Sequence, residues 1–579
     1  MGGCGVGRPT SSVRCSPTRR AVLGAASTAA GSLRCVTLLW DDRNRLGELR
    51  VGRRTTIVAG LSGASVPALG LLGRSPAFVE RRVDLTGGVR SGEVGTTSAV
   101  LWSRGVAPSR MMVRLHSNGR LRRTVRGPWT DPRSDLTARV HLTGLAPGRE
   151  YAAEVWFETP EGERSAPERL TFATAPIHAA AQTIVWSGDT CGQGWGIDRG
   201  RGGVTTYRTM LDLRPDLFVH VGDTIYADEP MTGSVLLPEN GTTWQNDLTE
   251  EVLTVAETLD QFRGRHRYLL RDDNVRAFHA AVPTAVQWDD HETCNNWWPG
   301  EIIDDEAYTE RRADVLAVRG RRAWQEYQPV PVRRLVPADG DGFVATRLYR
   351  RIPRGQHLDL FLLDMRSWRG PNPDHDPAVV RDRVTAGLLG REQEAWLVDG
   401  LRRSRATWKV ISIDQPLSAP ASRLQDLDGV SNGDGGPPLG RENEIGRVLA
   451  AIKRHRIRNV VWVTADVHYT AAYHYHPERA SFTDFDPFWE FVSGPLHCSP
   501  FTPKDDRLDA TFGPRAVFSH GKEEDLAVMI APRPDNQHIG SLAIAASGEL
   551  TVTLHDGAGD ALWRRTLEPD PVSPVRAGT

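Results

Sequence analysis

Acidic and histidine side chains gather in four short clusters: SGDT at 187–190, HVGDTIYAD at 220–228, WDDHET at 288–293 and TADVH at 464–468. Three of them directly follow apolar runs that read as buried strands, TIVW before Ser187, DLFVHV before Gly222 and NVVWVT before Ala465; the fourth follows AVPTAVQ. Carboxylates and imidazoles at the carboxyl ends of several parallel strands converge in space, because ligands bind outside that edge of an α/β sheet. Oxygen and nitrogen donors with few thiols suit hard or borderline cations such as Fe, Mn, Zn or Ca.

Each cluster has a chemical reading and a structural one. Asp189 opens a Gly-rich loop, DTCGQGWGIDRG, and is either a metal ligand or a cap of the turn. Asp223 follows Gly222, so the chain can turn sharply while the carboxylate points off the strand end and bridges two cations. Tyr226, three residues on, reaches the same place as a phenolate, a ligand that favours Fe(III), or else packs as a loop aromatic. In WDDHETCNNWW, Asp290 is the ligand candidate and His291 the acid beside the metals. Asn295 or Asn296 offers an amide oxygen, and Trp288, Trp297 and Trp298 form an apolar frame. Asp466 and His468, two apart in an extended turn, can face one center, whereas His474 and His476 read as surface or supporting residues. Arg366, after the run FLLDM, presents a planar fork that suits phosphate, or pairs with Asp364 or a neighbour.

The elements that must position these groups fall into two kinds. Residues 84–176 read as short alternating strands separated by turns such as SNG, APG and TPEG, an antiparallel sandwich. The stretch LTGLAPGREYAAEVWF resembles the fibronectin type III pattern, with Tyr151 as its corner tyrosine. From 181 to 570 apolar strands alternate with helical segments at 202–213, 272–282, 307–327 and 390–404, the α/β signature. Two further strands lie in 357–368 and 407–417, and the tail from Ser541 reads as two or three antiparallel strands at a sheet edge. Residues 229–258 and 425–440 read as loops that select the substrate, the second at the surface.

At 579 residues two or three domains are expected, and the formal net charge of −1 gives no global field for nucleic acid or acidic membranes. The six cysteines contain no CxxC pair; Cys191 and Cys294, each close to a candidate ligand, are buried thiols or a disulfide. Residues 1–80 read as an arm carrying an export signal. Arg53-Arg54 precede TTIVAGLSGASVPALGLLG, a better twin-arginine signal than Arg19-Arg20 before AVLGAASTAAGSL, and Val51 is a candidate true start. Both runs are too weakly apolar for a membrane span.

The motifs SGDTCGQGWGID, HVGDTIYAD, VQWDDHETCNNWW, LLDMRSW, GREQEAWL, TADVHYTAA and FDPFWEFVSGPLH together resemble the calcineurin-like metallophosphoesterases, and within them the alkaline phosphatase D (PhoD-like) family, over about residues 84–570. The resemblance implies an α/β fold: a central metallophosphoesterase-type β-sandwich flanked by helices, preceded by a fibronectin type III-like all-β domain. It implies an exported phosphatase that hydrolyses phosphate mono- or diesters at alkaline pH through a metal-activated hydroxide. Asp189, Asp223, Tyr226, Asp290, Asp466 and His468 would be metal ligands, with Fe(III) and Ca(II) as cofactors and Mn(II) or Zn(II) as alternatives. Arg366 and Asn296 would contact the substrate, and Arg366 and His291 would stabilise developing charge. The implied partners are a phosphate ester and the twin-arginine export machinery, with no nucleic-acid or membrane partner. The sequence departs from the family where some relatives carry a Cys ligand in the first motif and this chain offers Asp189. Three other readings are a purple-acid-phosphatase-like enzyme, which shares the GDxxY spacing, a catalytically inactive secreted binding protein, and a phosphodiesterase working mainly on lipid or teichoic-acid-like polymers.

Overall fold

The computed structural model describes residues 83–570, apart from 238–239, 332–334, 336–342, 345–346, 373–386, 420–427 and 523–528. The export signal expected within residues 1–80 lies outside the described residues.

Seven strands open the described chain: β1 (Leu85–Gly92), β2 (Ser98–Gly105), β3 (Arg110–Ser117), β4 (Arg120–Trp129), β5 (Thr137–Thr143), β6 (Glu150–Glu158) and β7 (Glu168–Ala173). β1, β2 and β5 pair as neighbours on one side, and β4, β3, β6 and β7 form a four-stranded sheet on the other. Alternate residues of both point inward, so Leu101, Val113, Val140, Val155 and Phe172 share one core. The Tyr151 hydroxyl accepts the Ala146 N–H at 2.8 Å, and its ring stacks on Phe172.

The larger unit holds β8 (Gln182–Ser187), β9 (Leu217–His220), the hairpin β10 (Ser234–Leu237) and β11 (Thr242–Gln245), and β12 (Thr284–Val286). β13 (Arg350–Pro353), β14 (Leu358–Leu362), β15 (Trp408–Ser412), β16 (Val460–Thr464), β17 (Thr470–Tyr475), β18 (Phe488–Val492) and β19 (Ala516–His520) follow. β20 (His538–Ile544), β21 (Leu550–Asp556) and β22 (Ala561–Leu567) end it. One sheet runs β22-β21-β20-β8-β9-β12 and continues through a single parallel bridge into β1 of the N-terminal strands. The second runs β13-β14-β15-β16-β18-β17-β19. β8, β9 and β12 are parallel in the first, and β14, β15, β16 and β18 in the second. This is a mixed α/β architecture.

Strands buried on both faces read as unbroken apolar runs, which is why TIVW, DLFVHV and NVVWVT carry little alternation. Ile184, Trp186 and Val219 of one sheet meet Leu360, Val410 and Val461 of the other in a shared layer. Each such side chain contributes about 1.5–3 kcal/mol. Helices cover the outer faces: α1 (Thr205–Asp212) and α3 (Asp273–Ala281) on the first sheet, and α5 (Gly390–Arg403) and α6 (Glu442–Arg454) on the second. α2 (Leu259–Leu269), closed by a Thr258/Gln261 capping box, packs on α4 (Ala313–Tyr327).

Three expectations change. The helix read over 307–327 starts at Ala313, because the Thr309 and Glu310 N–H groups are taken by the Glu257 carboxylate. The stretch 229–258 is not all loop, since it holds the β10–β11 hairpin. The 425–440 segment is a surface loop only in part: Gly433, Asp434 and Pro437 are exposed, whereas Asp428, Val430 and Ser431 are buried, and Asp428 reaches the candidate site.

Candidate active site

β8, β9, β12 and β16 end at the same edge of the two sheets, and each delivers part of the site. Asp189 follows β8, Asp223 and Tyr226 follow β9, Asp289 to Glu292 follow β12, and Asp466 and His468 follow β16. Asp189, Asp223, Asp466 and His468 have φ of 64°, 52°, 65° and 51°, the left-handed region that a non-glycine residue enters only when its surroundings demand it. Two glycines make the close approach possible. A Cβ on Gly222 would sit 2.5 Å from Asp289 Cβ, and one on Gly494 would sit 2.2 Å from Asp189 Oδ2.

A carboxylate missed in the sequence organises these turns. Glu292, fully buried, accepts the N–H groups of Asp223 (3.2 Å), Thr224 (2.5 Å) and Asp289 (2.7 Å) and the Thr224 hydroxyl (2.6 Å). It ties the β9 turn to the β12 turn and so sets the spacing of Asp223 and Asp290.

At one end of the cleft the His468 Nδ1–H donates to Ser499 O at 2.8 Å, leaving Nε2 as the lone-pair nitrogen. Nε2 lies 2.9 Å from the Tyr226 hydroxyl and 4.0 Å from Asp189 Oδ1. Burial holds the His468 imidazole down to about 3, so it is neutral and can bind a cation. Cys498, a cysteine given no role in the sequence, backs this end: its thiol donates to Asp189 O and accepts from Gly192 N–H, both at 3.1 Å.

Ligand atoms of Asp223, Asp290 and His291 lie within 4.8 Å of one another in the middle, and so do those of Asp289, Asp290 and Asp466. His291 Nδ1 sits 2.8 Å from both oxygens of Asp228, and its ring lies 4.1 Å from that of Tyr226. Burial opposes charge on His291, but Asp228, Asp290 and Asp223 outweigh it and raise the imidazole well above its ordinary value. Asn296, half-buried at the rim, gives its N–H to Asp290 Oδ2 at 2.6 Å.

The far end belongs to Arg366. Its guanidinium, fully buried, donates to Asp289 at 2.5 Å and Asp428 at 2.9 Å and lies 3.4 Å from Asp290 and 3.6 Å from Asp414. Asp364, the partner considered in the sequence, instead receives the Arg366 backbone N–H and the Trp288 indole N–H. The fork is therefore occupied by carboxylates rather than open to phosphate. Arg369 pairs with Asp428 at 3.0 Å. Cys191 and Cys294 are both free and buried, so the disulfide alternative fails.

The donor set fits cations. Asp189 Oδ2 and Asp290 Oδ1 are buried with no hydrogen-bond partner among the described residues. Burial, with neighbouring carboxylates adding to it, pushes Asp223 and Asp466 upward, and burial takes Asp189 to about 8. Buried acids left without partners are costly, and a cation among them offsets that cost. The donors are carboxylate, phenol and imidazole, as hard or borderline metals prefer.

Asp228 and Glu292 stood inside quoted clusters but carried no assigned role; their roles depend on partners from other segments. Asp414 ends a strand run visible in the sequence, whereas Asp428 and Cys498 had no local signal.

Known proteins bear on this arrangement. The PhoD-like phosphatase model matches residues 184–561, and the model of the PhoD-like phosphatase N-terminal domain matches residues 73–174. Alkaline phosphatase D of Bacillus subtilis (strain 168) is 28% identical over 414 residues, 67% of this chain and 65% of that protein, so the chain spans a little under two thirds of its relative's length. A solved structure of PhoD shares the fold at a TM-score of 0.63 and 21% identity, covering 86% of this chain and 95% of that one. A purple acid phosphatase from yellow lupin (Lupinus luteus) seeds aligns at a TM-score of 0.48 and 13% identity over 84% of this chain and 74% of that one. With its family match running through β8, β9, β12 and β16 and all the side chains they present, the chain belongs to the PhoD-like phosphatase family.

Proposed function

We propose that the chain is a metal-dependent phosphoric ester hydrolase, acting on phosphate mono- or diesters at alkaline pH and exported through a twin-arginine signal. The observation that carries this reading is the meeting of Asp189, Asp223, Tyr226, Asp290, Asp466 and His468 at one strand-end edge, with buried carboxylate oxygens left unpartnered. Asp189, Asp223, Tyr226 and His468 would hold one cation, and Asp223, Asp290 and Asp466 a second. The tyrosine favours Fe(III) at the first, and the all-carboxylate second set suits Ca(II), with Mn(II) or Zn(II) as alternatives. When bound, such cations lower the pKa of a coordinated water and neutralise phosphate oxygens.

The chain's own groups divide the rest of the work. Asp228 fixes the His291 proton at Nδ1 and favours the charged ring, so Nε2–H is poised to donate to the departing ester oxygen. Glu292 keeps Asp223 and Asp290 at their spacing. Arg366, its fork taken up by Asp289 and Asp428, is assigned to holding those carboxylates rather than to gripping phosphate. Asn296, half-exposed beside Asp290, is assigned to the substrate. Residues 85–173 support a fibronectin type III-like reading through their three-plus-four strand arrangement and the Tyr151 corner. Export is supported by Arg53-Arg54 and the small-residue run after it.

The test is elemental analysis of protein purified without chelator, with hydrolysis of p-nitrophenyl phosphate and bis-p-nitrophenyl phosphate followed across pH. Bound iron with calcium and an alkaline optimum are expected. No bound metal, and no hydrolysis after adding Fe, Ca, Mn or Zn, would move the chain to the binding-protein reading.

A further inference from the structure

The N-terminal sandwich carries a local run of positive charge that the net charge of −1 conceals. β4 reads RLRRTVRGPW and is the end strand of its four-stranded sheet. Arg120, Arg122 and Arg126 are exposed, and none of them forms an ion pair with a described residue. Arg123 gives a guanidinium N–H to Thr143 O at 3.1 Å.

Strand register fixes which side chains share a face, since cross-strand partners point to the same side. Arg126 lies opposite Met112, Thr124 opposite Arg114, and Leu121 opposite His116, with Trp129 opposite Arg110 at the end of the strand. Val113, Leu115 and Val155 point the other way, into the sandwich core. The first set is therefore the solvent face. Leu121 is 54% exposed on it and Trp129 48%, and Val106, in a turn that the Thr130 hydroxyl ties to the end of β4 through Ala107 O, is 42% exposed. Arg110 lies over the Trp129 ring at 5.7 Å. The carboxylates that β6 presents opposite β3 are already paired: Glu154 with Arg169 at 2.8 Å and Arg114 at 3.8 Å, and Glu158 with Arg164 at 2.9 Å.

Charge on an end strand keeps other chains from adding to the sheet. That duty accounts for the arginines but not for Leu121 and Trp129, because a strand built only to repel gains nothing from apolar side chains held in water. Register shifts at both ends of the β3–β4 pairing, and Pro128 with no N–H to give, interrupt the free edge, which disfavours a partner strand. Exposed arginines beside an exposed tryptophan and leucine match a lipid interface. The guanidinium groups meet the headgroup phosphates, and the apolar groups sit at the headgroup boundary. We propose that the solvent face of β4, through Arg120, Arg122, Arg126, Leu121 and Trp129, docks the chain on an anionic phospholipid surface. This face shares no residue with the strand-end cleft, so it stands or falls apart from the hydrolase reading.

The test uses the whole chain, a variant carrying Arg120→Gln, Arg122→Gln and Arg126→Gln, and a second carrying Leu121→Ser and Trp129→Ser. All five positions are exposed, so the three proteins should share one far-UV spectrum and one rate of bis-p-nitrophenyl phosphate hydrolysis. Co-sedimentation is measured over a range of salt with vesicles of phosphatidylcholine alone and of phosphatidylcholine mixed equally with phosphatidylglycerol, and binding of polyglutamate serves as the soluble polyanion control. The native chain should bind the anionic vesicles at least ~10-fold more tightly than it binds the neutral ones, and at least ~10-fold more tightly than the arginine variant does, with affinity falling as salt rises. The apolar variant should lose about fivefold for the vesicles and keep its affinity for polyglutamate. No binding of anionic vesicles by the native chain, or equal binding by it and the arginine variant, overturns the docking face. Polyglutamate bound more tightly than vesicles, or an apolar variant that binds vesicles as the native chain does, overturns the lipid surface as occupant. Vesicle binding that depends on the arginines, in a chain that hydrolyses neither ester, would retain the face and reject the hydrolase reading.

Discussion

Asp189 and Asp223 at one end of the cleft and Asp289 and Asp428 at the other are equally hidden from water, at 1–2% exposed, but they meet burial differently. Asp289 and Asp428 share the Arg366 guanidinium, and Arg369 adds a second cation to Asp428. Burial pulls Asp428 upward, yet the two arginines hold its carboxyl well below the usual range, whereas Asp289, with Arg366 alone against burial and the neighbouring Asp414 and Asp290, still rises well above its ordinary value. Among the described residues Asp189 and Asp223 pair with no arginine; burial drives both upward against the opposing pull of the His291 imidazolium, and Asp189 Oδ2 has no hydrogen-bond partner. A carboxylate cluster gripped by two arginines is scaffold; one with several acids and only the His291 imidazolium beside them is a place for a cation from outside. The contrast also explains why Arg366, a residue well suited to phosphate, is spent inside the protein.

Breaking the unpaired end should have the largest effect. Asp223→Asn is expected to lower kcat/KM for both p-nitrophenyl esters at least ~10³-fold, about 4 kcal/mol of transition-state stabilisation, with metal content falling and the far-UV spectrum unchanged. Retained activity with full metal content would remove Asp223 from the site.

Breaking the paired end should act on stability first. Arg366→Met takes the guanidinium from Asp289 and leaves Asp428 with Arg369 alone as its cation, and should cost about 3–5 kcal/mol in urea unfolding. Adding Asp428→Asn should recover part of that loss; no recovery would mean that the guanidinium is not what stabilises Asp428.

Chelation separates the two ends. Removing cations should lower the stability of the native chain by about 2.7 kcal/mol if they were present at a hundred times their dissociation constant, read as a drop in Tm. The same treatment should leave the Tm of Asp223→Asn much less affected. An equal drop in both proteins would place the cations elsewhere.

Glu490 sharpens the contrast as a buried acid with neither arginine nor a cation-binding cluster. Burial pushes it up to about 7, against the opposing pull of the Tyr475 hydroxyl and Leu417 N–H. Between the ordinary glutamate value of 4.5 and about 7 the folded chain therefore holds a proton that the unfolded chain has lost, so stability falls as pH rises through that window and levels off above it. The change is on the order of 3 kcal/mol, and Glu490→Gln should flatten it. A variant with the native pH dependence would locate that titration in another group.

Much of the cleft could be read in one dimension because each strand end hands its side chain to the same edge. Gly222-Asp223, Asp290-His291 and Asp466 with His468 each sit where an apolar run stops, and that stop is visible in the residues themselves. Asp228 and Glu292 were in plain view but had no reading, since a carboxylate that fixes an imidazole or collects backbone N–H groups differs in no local way from one that caps a turn. Asp428 was hidden by composition: its Gly-, Asp- and Pro-rich surroundings read as surface, and partners distant in sequence, Arg366 and Arg369 above all, draw it inside. Arg366 shows the opposite error, a residue whose chemistry was legible and whose use was not.

What the sequence alone determined is what short-range patterning can encode: the order of strands and helices, the acids and histidines at strand ends, and the family that these motifs share. Tertiary structure decided which charges face one another. Pairing energies depend on distances of a few ångströms and on the exclusion of water, and both arise only when segments hundreds of residues apart pack together. For that reason the division into a carboxylate cluster gripped by arginines and one that faces only the His291 imidazolium is a property of the folded chain.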